Sequence, residues 1–241
     1  EADLIVNFLT AEFGKVSGLA RHGRKSRQRF GNLLAPGTLA ELVYTHIRGR
    51  DLVRLEGGDL IECFENLGSE VGLLTRAGLA LELAEAFAAP LDPAPELFRL
   101  LIWCLERLDR NLRPDETLII YKLKLLTLAG FGPHLTSCAV CGRPAEEIQA
   151  GSLKTDQSGL ACRDCAPGGF PITSGTRKIV ALVQSMDLEK VDRVRLGRTA
   201  LEQADPFLMA YFRHLLGREL KASRVLEQIA PKPVVPTEES D

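Results

Sequence analysis

The chain has 241 residues, of which 45% are apolar and 26% are charged, and its formal net charge is −2. This composition is that of a folded protein with room for one large or two ordinary domains. It excludes collagen-like, low-complexity and strongly charged disordered chains. The sequence has no run of 18 apolar residues and opens with no secretory signal. We therefore expect a protein of the reducing cytosol that does not enter a membrane.

Short β-strands are predicted in the first part of the chain. Apolar and β-branched residues indicate strands over 4–10 and 14–20, joined by a tight turn, and two or three further strands over 39–47 and 51–64. Several short strands in so small a region are typical of a small β-barrel or meander. We therefore place an N-terminal β domain at residues 1–66.

A basic segment surrounds the second predicted strand. The stretch from 13 to 30 contains no acidic residue and six basic ones, namely Lys15, Arg21, Arg24, Lys25, Arg27 and Arg29. Most of them lie in a stretch without apolar periodicity, interpreted as a loop from which cations could reach several phosphates. A solvated charged loop is the alternative, but the lack of any acid favours phosphate binding. Aromatic side chains for base stacking are available, although most are expected in the core: Phe8, Phe13, Phe30 and Tyr44.

The pattern changes to that of helices after residue 70. Leucine- and alanine-rich segments at helical spacing predict helices at 72–88, 96–110 and 114–128, with a proline cluster between the first two. Three more helices are predicted further along the chain, at 174–185, 201–216 and 218–229. We assign residues 67–230 to an α-helical domain. The segment 231–241, with three prolines and several acids, is expected to be disordered.

Four cysteines form two close pairs within the helical domain. Each pair has the spacing C-x2-C and 20 residues separate the pairs, which comprise Cys138, Cys141, Cys162 and Cys165. Two such turns can direct four thiolates to one point, as in a structural zinc site. Disulfides and a redox motif are the alternatives, but disulfides suit small secreted domains and a redox C-x-x-C usually stands alone. We predict one structural Zn²⁺ in a module at 134–170, and buried free thiols at Cys63 and Cys104.

The sequence contains no recognisable catalytic motif. A pattern close to a phosphate-binding loop at 18–26 has one residue too many before Lys25, and no amphipathic helix follows it. A zinc deaminase requires H-x-E ahead of its cysteine pair, and an α/β-hydrolase requires G-x-S-x-G, and the chain has neither. We therefore predict a protein that is not an enzyme.

Three segments together resemble the RecO family of bacterial recombination mediators. The first is the strand and basic loop at 14–26 with the Leu-Leu-Ala-Pro-Gly that follows at 33–37. The second is the helix that leads into the cysteine module, at 121–142, and the third is the segment 220–229 near the C-terminus. Their order and spacing extend over nearly the whole chain, and the second segment is the most specific.

The resemblance implies an α+β multidomain fold, with an N-terminal OB-fold β-barrel followed by an α-helical domain that carries the inserted four-cysteine zinc module. It implies a cytoplasmic, nucleoid-associated bacterial protein that binds single- and double-stranded DNA and anneals complementary strands. It also implies partners in DNA repair. These are the acidic C-terminal tail of single-stranded DNA-binding protein, RecR and often RecF, with which such proteins help RecA load onto coated strands.

The resemblance also implies roles for residues of this chain. The metal would be held by the four cysteines, and DNA would contact Arg21, Arg24, Lys25, Arg27 and Arg29, with Lys15 near. An acidic peptide with an apolar end requires an apolar groove rimmed by cations. Charge and motif position indicate four helical residues for that role, Lys122, Lys124, Lys221 and Arg224. Family members normally begin with a further segment that supplies the first barrel strand, so we expect that strand to be missing here.

Two other functions are compatible with the sequence. One is a nucleic-acid-modifying enzyme with a structural zinc ribbon, which a pocket of convergent carboxylates or histidines would indicate. The other is an adaptor that binds only proteins, and such an adaptor would have no salt-sensitive affinity for DNA.

Overall fold

The computed structural model describes residues 3–24, 26, 29–49 and 51–229, apart from two side chains, those of Glu227 and Ile229. The predictions for Lys25, for Arg27 and for the tail at 231–241 concern residues outside the described ones. Within the described chain, four strands come first, six helices follow, and a three-stranded sheet interrupts the helices.

The first four strands form one sheet in the order β1-β2-β4-β3. Their bounds are β1 Leu4–Thr10, β2 Gly14–Ala20, β3 Leu39–His46 and β4 Leu52–Glu62. β1 and β2 form an antiparallel hairpin, β4 pairs parallel with β2, and β3 pairs antiparallel with β4. Alternate residues of β2 are buried, as in a strand with one face on a core. The predicted strands are confirmed, with two strands rather than three after the basic loop.

The sheet is curled but does not close into a barrel. β1 and β3 are its edges, and no pairing joins them within the described residues. The rings of Phe8 on β1 and Tyr44 on β3 are nevertheless 5.9 Å apart, so the sheet must curl strongly. A small core lies inside the curl, formed by Ala20, Phe30 and Leu55. This arrangement is consistent with an OB fold, and the sheet is not closed within the described residues.

Six helices form the larger core. They are α1 Val71–Phe87, α2 Pro95–Asp109, α3 Pro114–Leu128, α4 Ser174–Ser185, α5 Arg198–Leu216 and α6 Lys221–Ile229. Each begins and ends within three residues of its predicted bounds. The largest differences are at the starts of α5 and α6, which lie three residues before and three residues after the predicted positions, while α5 ends as predicted at Leu216 and is followed by Gly217. The φ of +63° at Gly217 is the left-handed conformation that terminates helices.

Helix α3 is buried on all sides. Every residue from 116 to 126 is buried, and α3 packs against α1, α2, α4 and α5. Its polar groups find partners inside the protein. The Tyr121 hydroxyl donates to the carbonyl of Ala80 at 2.9 Å, and Glu116 accepts from the backbone N–H of Leu196 at 2.8 Å. A helix surrounded by protein needs no polar face, so its sequence has no clear amphipathic period.

Helix α6 is held on α1 by one carboxylate. Glu82 on α1 accepts hydrogen bonds from the backbone N–H groups of Lys221 and Ala222, at 3.0 and 3.1 Å. It also pairs with Arg218 at 3.0 Å. A carboxylate at a helix N-terminus satisfies free N–H groups and interacts favourably with the helix dipole. Glu82 is therefore an N-terminal cap supplied by a different helix.

The N-terminal sheet is joined to the helices near the end of α1. The Lys15 ammonium donates to the carbonyl of Glu85 at 2.9 Å, and the Asn7 amide donates to the Glu85 carboxylate at 2.6 Å. The Ser17 hydroxyl donates to Asn7 at 2.8 Å, and the backbone N–H of Lys15 donates to Ala89 at 3.2 Å. These contacts tie the β1–β2 hairpin to the end of α1 and form a polar joint between sheet and helices.

The cysteine region contains a second sheet. Its strands are β5 Gly151–Lys154, β6 Gly159–Cys162 and β7 Phe170–Ile172, in the order β6-β5-β7 with antiparallel pairing. The sequence predicts the module but not this sheet, because strands of three or four residues are too short to show a period. Within the described part of the chain, no helix is long and apolar enough to cross a membrane.

Candidate metal centre and nucleic-acid interface

The four predicted metal ligands lie together. Their sulfur atoms are all within 4.8 Å of one another in a cluster formed by Cys138, Cys141, Cys162 and Cys165. Four thiolates placed about 2.3 Å from a tetrahedral Zn²⁺ would be about 3.8 Å apart. The donor set therefore fits a zinc ion. The other two cysteines are free thiols, with Cys104 buried in the helical core and Cys63 only partly buried.

Two backbone turns direct the sulfur atoms. Cys138 and Cys141 lie on a turn closed by a hydrogen bond of 2.9 Å from the Gly142 N–H to the Cys138 carbonyl. Gly142 has a φ of +74°, which is strained for other residues. Cys162 ends strand β6, and Cys165 follows on a turn closed by its own N–H to the Cys162 carbonyl at 3.2 Å. Strand β6 and the two turns therefore direct all four thiols toward one point.

Contacts other than those among the four sulfurs also join the turns to each other. Arg143 pairs with Asp164 at 3.0 Å, and the backbone N–H of Cys162 donates to the sulfur of Cys138 at 3.3 Å. This ion pair was not predicted from the sequence. Its signal was an arginine beside one cysteine pair and an acid inside the other, which become neighbours once the cysteines meet.

The protein environment shifts the pKa values of two of these thiols in opposite directions. Burial acts to raise the pKa of Cys138, but hydrogen bonds from the backbone N–H groups of Cys141, Cys162 and Val140 outweigh it and lower the pKa to about 6. Hydrogen bonds among the sulfurs, first with Cys162 and then with Cys141, raise the pKa of Cys165 to about 12. A thiolate is the form that binds metal, so the site offers one ready ligand at neutral pH.

The basic loop leaves the sheet at the end of β2. Its described cations are exposed, and they are Arg21, Arg24 and Arg29. Arg29 is anchored, because its guanidinium donates to the carbonyl of Arg21 at 2.8 Å and lies over the buried ring of Phe30, 5.2 Å from the centroid. Arg21 and Arg24 have no ion-pair partner among the described residues. The loop therefore presents three exposed cations without an ion pair among the described residues, and the side chains of two of them, Arg21 and Arg24, make no hydrogen bond there either.

Lys15 is not part of this surface. It lies at the other end of β2 from Arg21, about 20 Å along the strand at 3.3 Å per residue. Its ammonium group is bound to Glu85 at the joint. The structure therefore corrects the expectation that Lys15 lies near the basic loop.

The aromatic side chains considered for base stacking are mostly internal, as expected. Phe30 is buried, while Phe8 and Tyr44 are half-buried inside the curled sheet. Phe13 is exposed, but it lies on the turn between β1 and β2, away from the basic loop. The structure places no exposed ring of this set beside Arg21 and Arg24.

Two of the four residues expected to bind a partner peptide lie inside the helical domain. Lys122 is 1% exposed and its ammonium pairs with Asp205 on α5. Lys124 is 8% exposed and donates to the backbone carbonyls of Gln184 and Met186 at the end of α4. Burial lowers the pKa of Lys124. Neither lysine is a surface cation, so the structure corrects their expected position on the rim of a groove.

The other two residues of that set lie on the surface of α6. Lys221 and Arg224 are both exposed, and Arg224 pairs with Glu219 at 2.8 Å. Val225 beside them is 40% exposed. The structure thus brings together two cations and an apolar side chain on the helix that Glu82 caps.

Comparison with known proteins places the whole chain in one family. The family model described as recombination protein O N terminal matches residues 1–64, and the model described as recombination protein O C terminal matches 70–224. Curated relatives named DNA repair protein RecO match along nearly their full length. The one from Anaeromyxobacter sp. (strain K) is 36% identical over 236 residues, which is 96% of this chain and 92% of that protein.

A second relative of the same name, from Syntrophus aciditrophicus (strain SB), is 31% identical over 234 residues, or 95% of this chain and 90% of that protein. A third, from Dehalococcoides mccartyi (strain CBDB1), is 28% identical over 236 residues, again 95% of this chain and 90% of that protein. Together with the sheet, the helices and the cysteine cluster, these matches show that the chain belongs to the RecO family of DNA repair proteins.

Proposed function

We propose that this protein is a recombination mediator that acts by binding and not by catalysis. In this role it binds single- and double-stranded DNA, anneals complementary strands and, with RecR and RecF, helps RecA load onto strands coated with single-stranded DNA-binding protein. Membership of the RecO family supports the role. The observation on this chain that carries it is the pair of exposed, unpaired arginines at the end of β2, Arg21 and Arg24. We place its action in the bacterial cytoplasm, at the nucleoid.

The basic loop would bind DNA through phosphates. Each phosphate contact releases condensed counterions, so the logarithm of the affinity for single strands falls by about 0.7 per contact for each tenfold rise in salt. The loop sequence itself contains no acid, and the one carboxylate bonded to it among the described residues is that of Asp3, which accepts from the backbone N–H of His22 at 2.8 Å. Two strands whose phosphates are neutralised on one protein repel each other less, and this favours annealing. Lys25 and Arg27 lie in the same basic segment of the sequence and would add to the effect.

The acidic tail of single-stranded DNA-binding protein would bind at α6. Lys221 and Arg224 supply the cations, and Val225 supplies an apolar contact for an apolar peptide end. This contact would hold the mediator near the coated strand and so raise its effective concentration there.

We also assign one structural Zn²⁺ to the four cysteines. Four thiolate ligands leave no open coordination position, so the ion would hold the module together and take no part in a reaction. The convergence of all four sulfurs and the low pKa of Cys138 support this assignment.

The test is annealing of complementary oligonucleotides, bare or coated with single-stranded DNA-binding protein, in the absence of nucleotide. The double variant Arg21→Ala/Arg24→Ala should slow annealing of both substrates and flatten the salt slope of DNA binding by about 1.4, the value for two lost contacts. The double variant Lys221→Ala/Arg224→Ala should slow annealing only of coated strands whose coating protein keeps its tail. The matched control is Arg110→Ala/Lys178→Ala, which removes two exposed cations elsewhere.

Each part of the proposal has its own contrary result. An unchanged salt slope in the Arg21→Ala/Arg24→Ala variant would remove the basic loop from the DNA site. Annealing of coated strands that does not depend on the tail would remove α6 from the partner site. Salt-dependent DNA binding without any annealing would favour the modifying enzyme, and no salt-dependent binding would favour the adaptor.

A further inference from the structure

A cavity of about 390 Å³ lies between the cysteine module and the helices, apart from the sites described above. The module contributes the segment from Ile148 to Gly151, Leu160 and β7, and the helical side contributes the first turn of α4, with Gln203 of α5. The volume is in the range of small-ligand sites. The lining combines hydrogen-bond donors with apolar side chains.

Arg177 is the charged group of this lining, and it is only partly satisfied. The residue is 7% exposed, and one of its five N–H groups donates to the carbonyl of Leu135 at 3.0 Å. Glu146 is 3.6 Å from Nη2, which is beyond hydrogen-bond length. The guanidinium makes no other hydrogen bond to the described residues, and the backbone N–H of Arg177 donates to the carbonyl of Thr173 at 2.9 Å. The other N–H groups of the guanidinium are not among the buried atoms that lack a partner, so they are open to the cavity and can donate to an acceptor bound there.

Two further donors line the same cavity. Gln203 accepts the backbone N–H of Thr173 on its Oε1 at 3.0 Å, which fixes the amide, and its Nε2 has no acceptor among the described residues. Ser174 is the first residue of the 12-residue helix α4, and its backbone N–H likewise has no partner in the described chain. The start of a helix also carries partial positive charge. Donors around a cation select a group that only accepts hydrogen bonds, which is an oxyanion.

The other side chains that line the cavity indicate which kind of chemical group carries the oxyanion. Ile148, Leu160, Pro171 and Ile172 supply apolar contacts, and apolar atoms make up about half of the lining surface. These side chains favour a hydrocarbon over a sugar or another polar group. The site has one guanidinium with an acid 3.6 Å away, so it suits one negative charge better than the two of a phosphate monoester.

We propose that this cavity binds a monocarboxylate that carries an apolar group. The carboxylate lies on Arg177 and the start of α4, and the apolar group lies against Ile148 and Ile172. Glu146, whose side chain is 71% exposed, is a weak competitor for the same guanidinium and turns to solvent when the ligand binds. A small carboxylic acid and the C-terminal residue of a peptide both present these groups. The inference goes beyond the proposed function, because it requires neither DNA nor a repair partner.

The test is calorimetric titration of the full chain with N-acetyl-L-leucine, and in parallel with N-acetyl-L-leucinamide and 4-methylpentanoate. The acid should bind and the amide should not. Glu146→Gln should tighten binding about two- to fivefold, the range that an exposed ion pair is worth, because the competing carboxylate is gone. The matched control Glu147→Gln, an exposed acid one residue away, should leave the affinity unchanged. Arg177→Gln should weaken binding at least about tenfold.

The titrations also separate the two sources of the ligand. Equal affinity for 4-methylpentanoate and N-acetyl-L-leucine supports a free carboxylic acid, and tighter binding of the acetylated residue supports a chain end. Equal heats for the acid and the amide would overturn the proposal. An unchanged or weakened affinity in Glu146→Gln would also overturn it, and this variant gives a gain of binding that misfolding cannot imitate.

Discussion

The buried ammonium group of Lys122 is the least expected feature at the scale of single residues. It is 1% exposed, whereas the side chain of its counterion Asp205 is 49% exposed. The two partners therefore differ in what their loss would leave behind. Removing the lysine leaves a carboxylate that water can reach, but removing the aspartate leaves a charge inside the protein with no counterion.

This asymmetry gives the first prediction. Asp205→Asn should lower the free energy of unfolding by about 3 to 5 kcal/mol, the usual effect of orphaning a buried charge. Lys122→Met, which keeps the volume and removes the charge, should cost much less. Chemical denaturation of the two variants measures both effects.

The double variant is the control. In Asp205→Asn/Lys122→Met no charge is left unpaired, so most of the lost stability should return. If the losses of the single variants simply add in the double variant, the ion pair is not the reason for the instability.

The residues differ in how well the sequence could reveal them. The metal ligands were predictable because C-x2-C is a local pattern, and two copies of it suffice to define a site. Lys122 and Lys124 were placed on the surface because they are charged. Their burial follows from the packing of α3 among four helices, which no local pattern reports.

At the scale of elements, the attachment of α6 depends on the ionised form of Glu82. Burial acts to raise the pKa of Glu82, but hydrogen bonds from the Lys221 and Ala222 N–H groups and from Arg218 outweigh it and lower the pKa. A carboxyl whose pKa is lowered by folding stabilises the fold above its unfolded value of about 4.3. That contribution is lost as the pH falls through the lower, folded value.

We therefore predict that α6 loosens in acid before the core does. Hydrogen exchange of the α6 amides, normalised to unstructured peptides, should rise relative to α3 below about pH 4. Glu82→Gln should raise it already at pH 7, with a loss of about 1 kcal/mol, as for other helix caps. Glu106→Gln, an exposed acid on α2, is the control. Wild-type protection of α6 in Glu82→Gln would contradict the capping role.

The small sheet of the cysteine module should depend on its metal. Cys162 ends β6, so the proposed zinc site and the sheet share a residue. Metal analysis should find one zinc per chain, and a chelator should increase exchange at β5, β6 and β7 while α3 stays protected. Zinc binding in small modules is worth about 10 to 16 kcal/mol, enough to determine whether such a sheet forms. Cys63→Ser should keep the metal, and a sheet that stays protected after chelation would oppose a structural role.

At the scale of the whole molecule, the joint between Lys15 and Glu85 connects the sheet to the helices. Lys15→Ala should reduce stability by about 1 kcal/mol, or about 2 to 4 °C in melting temperature for a chain of this size. It should leave the salt slope of DNA binding unchanged, because the ammonium is engaged at the joint and lies far from the basic loop. Arg24→Ala should instead flatten the salt slope of DNA binding and leave the stability unchanged. A flatter salt slope in Lys15→Ala would return that lysine to the DNA surface.

Most of the strands and helices could be predicted from the sequence, but whether the N-terminal sheet closes into a barrel could not. Each strand and helix has a local residue period or composition from which it can be predicted. The predicted bounds of the helices agree with the structure to within three residues. Closure of the sheet depends on whether its edge strands, β1 and β3, form hydrogen bonds with each other. The rings of Phe8 and Tyr44 on these strands approach each other, but the strands do not pair within the described residues. The cavity beside Arg177 depends on the docking of a module whose strands are too short to predict.

The burial of α3 also makes two of its lysines resistant to proteolysis. Trypsin cleaves after lysine only when the chain is locally extended in the protease, and Lys122 and Lys124 lie in a helix surrounded by protein. Cleavage at these two positions therefore requires the helical core to open, whereas cleavage at Lys221 on the surface requires only that α6 detach. We therefore expect a tryptic fragment cut at Lys221 to form before fragments cut at Lys122 or Lys124. The order of these fragments would distinguish detachment of α6 from opening of the helical core.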